Sequence, residues 1–166
     1  MPEITILGIG NPLWKDDGIG PRIVEELLKS GLPAGVEAYN AGGSFYHYWD
    51  AFAACRHIIA LDALQGGHAP GTLYLLKPEE MLPRAPVLLK HEDDFLSVVE
   101  IMKFFGLSPA VTILGVEPKE ITLGYGLSPE ILSILPRVIQ KIRDLCDQLL
   151  YPDKLNKNLS KLENLS

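Results

Sequence analysis

The amino-acid sequence predicts an α/β protein: a single domain with a twisted, mostly parallel sheet of about five strands and helices on both faces. The main observation is that short β-branched runs alternate along the chain with longer segments of helical periodicity. A second is size, because 166 residues with 47% hydrophobic content suffice for one closed core. No internal repeat or low-complexity linker divides the chain. We assign the domain to residues 1–150 and a polar C-terminal tail, whose leucine spacing suits a short helix, to residues 151–166.

Local signals define the elements of the first half. Residues 4–7 are rich in β-branched side chains and end at a glycine, as a buried strand does. A helix is predicted from Pro21, which is tolerated in a first helical turn, to a stop at Gly31. Its predicted apolar stripe consists of Ile23, Val24, Leu27 and Leu28. Residues 36–39 form the second predicted strand, and residues 45–54 are expected to be helical after a glycine-rich turn.

The second half continues the alternation. Strands are predicted at residues 57–61, 71–76 and 111–116, and helices at residues 92–105 and 129–150. The third strand is expected to end just before Asp62, and the fourth is a candidate for antiparallel pairing. Ser128 is the predicted N-cap of the last helix. In such a sheet, ligands bind beyond the carboxyl ends of the strands.

Composition limits the classes of partner and compartment. The net charge of −6 and the pI near 5.2 provide no basic field for a phosphate backbone, so no nucleic-acid partner is expected. Cys55 and Cys146 stand far apart, which excludes a disulfide framework and a cysteine metal cage and suits a reducing cytoplasm. The apolar opening is too short for a secretory signal, and no stretch approaches the roughly 20 apolar residues of a membrane span. We expect a soluble cytoplasmic protein with no membrane partner, and a monomer is the simplest state.

The loop after the first strand occupies the place of a Rossmann phosphate loop. It reads GIGNPLWKDDGIG at residues 8–20. The third glycine of G-x-G-x-x-G would fall at Leu13, and the carboxylates of Asp16 and Asp17 would repel a pyrophosphate. The spacing leaves two interpretations open: a tight glycine turn with two solvated acids, or a functional site that includes an acid.

Asp62 and His91 are the other candidates. Asp62 follows an apolar strand, and in a parallel sheet it shares the carboxyl edge with the loop that contains Asp17. His91 precedes the predicted helix at residues 92–105, whose start would direct the imidazole toward the same edge. Each also has an ordinary role available, since Asp62 could cap a turn and His91 a helix.

Two carboxylates and one imidazole suit a divalent ion such as zinc or nickel. A bound ion would polarise a peptide carbonyl and activate water. Without an ion, two adjacent carboxylates would favour a dyad that shares one proton. The residue types do not separate these two mechanisms.

Four ordered motifs carry a resemblance: GIGNPLWKDDGIGPRIVE, IIALDAL, His91 before a helix, and GVEP followed by GYGLSPE. Together, over residues 4–150, they resemble the maturation endopeptidases of nickel-iron hydrogenases. The resemblance implies an endopeptidase that removes the C-terminal extension from the nickel-loaded precursor of a hydrogenase large subunit, its partner. It also implies that Asp17 and Asp62 are catalytic, that they and His91 bind the nickel presented by the precursor, and that Asp16 is only a neighbour. Another divalent metal such as zinc is the alternative occupant.

One segment departs from the family pattern. Many relatives carry an Asp before the Gly-Gly turn after the second strand, whereas this chain reads YNAGGS at residues 39–44, with Asn40 and one inserted residue. We therefore expect no acidic role at this position. We expect Asn40, Gly42 and Gly43 to form a loop that contacts the substrate.

Two other functions are compatible with parts of this sequence. A chaperone-like module that binds nickel or the precursor without cutting it would use the same three residues. A peptidyl-tRNA hydrolase shares the opening GIGNP, but that family continues with a Tyr and a Thr-Arg-His-Asn run, where this chain has WKDD. The catalytic His of that family is thus missing, and an acidic chain would repel tRNA.

Overall fold

The structure, a computed structural model, describes residues 2–81 and 92–152. One sheet has the strand order β2-β1-β3-β5-β4. Its strands are β1 (Ile4–Ile9), β2 (Val36–Gly42), β3 (His57–Ala63), β4 (Leu73–Leu76) and β5 (Ala110–Val116). Four of them are parallel, and β4 pairs antiparallel with β5 at one edge. The predicted fold class and the antiparallel fourth strand are confirmed.

Helices connect the strands. They are α1 (Ile19–Ser30), α2 (Trp49–Ala54), α3 (Pro78–Met81), α4 (Glu92–Phe104) and α5 (Pro129–Leu150). Two 3₁₀ turns, Lys15–Gly18 and Phe45–Tyr48, precede α1 and α2. The four predicted helices are confirmed, whereas α3 and the first 3₁₀ turn were not predicted. The helix expected in the tail lies outside the described residues.

Two apolar clusters cover the two faces of the sheet. In β1, Ile4 and Ile6 point to the face where α1 and α5 pack, and Leu7 and Ile9 point to the face with α2 and α4. This alternation follows from the two-residue repeat of a strand. Both faces of β1 are buried, which explains why the strand is apolar except for Thr5 and Gly8.

Two local expectations are wrong. Leu28 is exposed rather than part of the α1 stripe, because Ile23, Val24 and Leu27 already fill the buried face. Asp62 lies inside β3 rather than after it. The strand is extended because Asp62 pairs with Gly115 of β5.

The strand order creates a crevice between β1 and β3. The chain leaves β1 through α1 toward β2 on one side, while β3 lies on the other side of β1. Such a reversal of strand order, a topological switch point, is where ligands bind in open α/β sheets. None of the described helices is long and apolar enough to cross a membrane.

Candidate functional site

Asp17 lies at the carboxyl end of β1, in the 3₁₀ turn before α1. Asp16 and Asp17 are both buried, so the interpretation of two solvated acids is wrong. The Asn11 backbone N–H donates to Asp17 Oδ2 at 2.7 Å. Gly10 has φ +120°, and a Cβ there would lie 1.8 Å from the Asp17 carbonyl oxygen. Glycine is therefore required for the loop to close over the aspartate.

Asp62 lies at the same edge, near the end of β3. It is buried, and the Ala63 backbone N–H donates to its Oδ1 at 2.8 Å. The first turn of α1 fits between the two strand ends, because a Cβ at Gly20 would lie 2.3 Å from the carbonyl oxygens of both Ile9 and Leu61. This close approach places the turn containing Asp17 against β3, and both acids at the switch point.

The third predicted site residue, His91, lies outside the described residues. Within the described ranges, no group of three or more His, Cys, Asp and Glu side chains is arranged to hold a metal ion. Each described histidine bonds a hydroxyl group: His47 that of Ser44 (2.7 Å), His57 that of Thr112 (2.8 Å) and His68 that of Tyr74 (3.0 Å).

Asp16 fixes a distant segment. Its Oδ2 accepts the backbone N–H groups of Lys119 and Glu120 at 2.9 and 3.0 Å and the Ser128 hydroxyl at 2.9 Å. Its Oδ1 accepts the Ser128 N–H at 2.7 Å. These four bonds satisfy a fully buried carboxylate. Ser128 does precede α5, but its hydroxyl bonds Asp16 and makes no cap hydrogen bond.

The same segment is joined to the loop before Asp17. Lys15, a non-glycine residue with φ +50°, donates its backbone N–H to the Gly124 carbonyl at 3.0 Å. Gly124 donates in turn to the Leu13 carbonyl at 2.9 Å. The Lys15 ammonium also pairs with Glu120 at 2.9 Å. These contacts hold a strained backbone beside the candidate site, where such strain often accompanies function.

Asn40, Gly42 and Gly43 lie at the carboxyl end of β2. Gly8 pairs with Asn40 but Ile9 pairs with Gly42, so Ala41 is an extra residue in a β-bulge. The bulge accommodates the inserted residue noted in the sequence. Asn40 and Gly43 are exposed, and β1 separates them from Asp62.

The sequence pattern predicts no role for Glu117, although this residue stands in the GVEP motif. Its buried carboxylate accepts the backbone N–H groups of Gly66 and Gly67 at 2.7 and 3.3 Å and the Tyr74 hydroxyl. Burial opposes ionisation, but the bonds from Tyr74 and the loop amides hold the pKa of Glu117 below its usual value. Burial and the bond to Glu117 raise the pKa of Tyr74 to about 12. Glu117 thereby fixes the loop after β3, next to Asp62.

Known proteins are similar to this chain in sequence and in fold. The HycI family, described as hydrogenase maturation protease, matches residues 21–145. Hydrogenase expression/formation protein HoxM of Azotobacter vinelandii is 35% identical over 125 residues, which are 72% of this chain but only 60% of HoxM. Hydrogenase 2 maturation protease of Escherichia coli (strain K12) is 31% identical over 148 residues, covering 84% of this chain and 88% of that protein.

Solved structures agree with the sequence comparisons. The hydrogenase maturating endopeptidase HybD from E. coli superposes with a TM-score of 0.74 at 29% identity, covering 86% of this chain and 90% of that one. An endopeptidase from Escherichia coli, solved in solution, gives a TM-score of 0.75 at 28% identity, with 89% and 93% covered. The family match extends over most of the chain, and the superposed structures cover 86% and 89% of it, so this chain belongs to the hydrogenase maturation protease family.

Proposed function

We propose that this protein is an endopeptidase that removes the C-terminal extension from the nickel-loaded precursor of a nickel-iron hydrogenase large subunit. The observation that carries the proposal is the pair of buried aspartates, Asp17 and Asp62, at the switch point of a chain from this family. Relatives named as maturation proteases support the activity, and their names support the precursor as partner.

Asp17 and Asp62 are the catalytic residues in this proposal, and with His91 they bind the nickel that the precursor presents. Asp17 and Asp62 each accept one short backbone hydrogen bond on a single oxygen. The donor to Asp17 is the Asn11 N–H, and the donor to Asp62 is the Ala63 N–H. Such bonds orient a carboxylate before a cation or substrate arrives. Carboxylate and imidazole donors suit nickel, and they suit zinc as the alternative occupant of the same site.

Peptide hydrolysis needs a base near the attacking water and a proton for the leaving amine. Asp17 or Asp62 can accept the proton from water and return it to the amine nitrogen. A divalent ion would supply polarisation of the scissile carbonyl. In an aspartic mechanism, the two carboxylates would share one proton instead.

Cleavage is tested by the intact mass of the nickel-loaded precursor before and after incubation. We expect loss of the C-terminal extension with the wild type and an unchanged mass with Asp17→Asn or Asp62→Asn. The matched control is Asp147→Asn, the same change at an exposed position on the last turns of α5, which should trim normally. Continued trimming by both site variants would refute the assignment, and an unchanged mass with the wild type would favour a binding module.

The source of the metal is tested by chelation. If the substrate presents the ion, protease treated with chelator and then desalted still trims a loaded precursor, whereas a precursor never given nickel stays intact. Loss of activity in the treated protease, with recovery on adding zinc, would indicate a metal held by the protease. Trimming of a nickel-free precursor in the presence of chelator would favour the aspartic mechanism.

Asn40, Gly42 and Gly43 form the loop that contacts the substrate in this proposal. The exposure of Asn40 and Gly43 at the edge that also holds Asp17 supports the assignment.

A cytoplasmic location is part of the proposal too. Cys55 and Cys146 are buried free thiols in the clusters on opposite faces of the sheet. Burial raises the pKa of both thiols, that of Cys146 to about 11, which keeps them unreactive.

A further inference from the structure

We propose that an exposed apolar surface beside Asp17 is where the folded precursor docks, through an apolar patch that neighbours its C-terminal extension. The surface, called here the apolar platform, consists of Leu13, Trp14, Leu123 and Tyr125. The inference rests on the proposed function, because its occupant is the substrate of that reaction.

The four large side chains of the platform are all largely exposed to solvent. The exposed fractions are 58% for Leu13, 44% for Trp14, 75% for Leu123 and 84% for Tyr125. Single exposed hydrophobic residues are common on protein surfaces, but a contiguous group marks an interaction site. Tyr and Trp are also the residues most enriched at the energetic centre of protein interfaces.

Backbone contacts bring these four residues close together, although they come from two distant segments. Trp14 and Gly124 form a parallel bridge, with the Lys15 N–H donating to Gly124 and the Gly124 N–H donating to Leu13. The segment that contains Leu123 and Tyr125 is held by Asp16, which accepts hydrogen bonds from Glu120 before it and from Ser128 after it. A surface held in this way loses little conformational entropy when a partner binds.

The platform is continuous with the candidate catalytic edge. The Asp17 backbone N–H donates to the Trp14 carbonyl at 3.2 Å, so one 3₁₀ turn separates the two residues. A protein whose tail reaches Asp17 must therefore place its body close to the platform. A second copy of this chain seated there would cover the approach to Asp17, which argues for the precursor as occupant.

A cavity of about 160 Å³ adjoins the platform at Tyr125. Its lining includes the apolar side chain of Leu132 together with charged groups of both signs, from Lys15, Arg22 and Glu25. The volume suits a single inserted side chain, which gives the platform one anchoring position.

The test uses Leu123→Ser and Tyr125→Ser, the two most exposed platform positions, neither of them placed in the catalytic machinery. We expect KM for the nickel-loaded precursor to rise about tenfold in each variant, with kcat unchanged, as for loss of an interface anchor. Binding of the precursor, measured directly by calorimetry, should weaken to the same extent. Thermal unfolding midpoints should match the wild type because both side chains are exposed.

The matched control is Phe104→Ser, which removes another highly exposed aromatic ring. Phe104 ends α4, shortly before β5 begins at Ala110, and so lies at the amino edge of the sheet, opposite Asp17. Its KM and binding should stay at the wild-type values.

The outcomes separate this inference from the proposed function. If the wild type trims the precursor but the platform variants keep its KM and affinity, the platform is wrong and the function stands. If the wild type does not trim, the proposed function fails, and the calorimetric comparison decides whether the platform still binds the precursor. If sedimentation shows wild-type dimers that the platform variants dissociate, the occupant is a second copy and the inference is overturned.

Discussion

Asp16 and Ser128 stand 112 residues apart in the chain and share two hydrogen bonds in the protein interior. The Ser128 N–H donates to Asp16 Oδ1 at 2.7 Å, and the Ser128 hydroxyl donates to Oδ2 at 2.9 Å. The adjacent Asp17 accepts a backbone bond from nearby Asn11 instead. Two neighbouring acids thus differ in what they hold: Asp16 fastens a distant segment, and Asp17 stays within its own loop.

Replacing Asp16 by Ala should destabilise the fold strongly. The change removes four hydrogen bonds and leaves the two donors of buried Ser128 without that acceptor. Each lost bond costs about 1 kcal/mol, and more where a buried donor is left unsatisfied, so we expect a loss of at least about 3 kcal/mol in the free energy of unfolding. Urea denaturation measures it. Asp17→Ala is the matched control, with an expected loss of about 1–2 kcal/mol; equal losses would contradict the division of roles.

Ser128 provides a second test, because its position before α5 predicts an N-cap while its hydroxyl bonds Asp16. We expect Ser128→Ala to cost about 1 kcal/mol in the wild type and almost nothing in an Asp16→Ala background. A double-mutant cycle by denaturation gives the coupling. A cost independent of Asp16 would mean that the hydroxyl acts as a helix cap after all.

The layout of the fold could be predicted because its signals are local. Runs such as residues 4–7 and 111–116 are β-branched and apolar, and the stripe of α1 and the length of α5 are visible in the sequence. The alternation of these elements is enough to predict a parallel sheet, and the sheet in turn predicts which loops meet at its carboxyl edge. Asp17 and Asp62 could be placed on one edge for that reason.

What could not be predicted depends on contacts between distant residues. The burial of Asp16 requires Ser128, and nothing in the spacing of two adjacent acids shows which one will find that partner. The extension of β3 through Asp62 requires pairing with Gly115. The loop after β3 is held by a hydrogen bond from Gly66 to Glu117, a residue for which the sequence predicted no role. The role of His91 as the third metal ligand stays a prediction.

Gly20→Ala should reverse the usual effect of this substitution. Inside a helix, alanine is normally more stable than glycine by about 0.5–1 kcal/mol. Here the new Cβ would lie 2.3 Å from the carbonyl oxygens of Ile9 and Leu61, so α1 must move away from the sheet. We expect a loss of about 2 kcal/mol or more, seen as a lower thermal midpoint, and weaker trimming. Leu28→Ala, at an exposed position of the same helix, should change the midpoint little; a stabilised Gly20→Ala would refute the close approach.

The bond from Tyr74 to Glu117 should stabilise the protein only within a window of pH. Because the folded pKa of Glu117 is lowered, its contribution is present above the unfolded value of 4.5 and is lost as pH falls through the folded value. Because the folded pKa of Tyr74 is raised, its contribution is present below the unfolded value of 10 and is lost as pH rises through about 12.

Tyr74→Phe should therefore lower the free energy of unfolding by about 1 kcal/mol near neutral pH, with the difference shrinking in acid. Urea denaturation at a series of pH values measures this, with Tyr46→Phe, an exposed ring, as the control that should show no difference. A Tyr74→Phe deficit that stays constant into strong acid would mean that the hydroxyl does not act through the ionised carboxylate of Glu117.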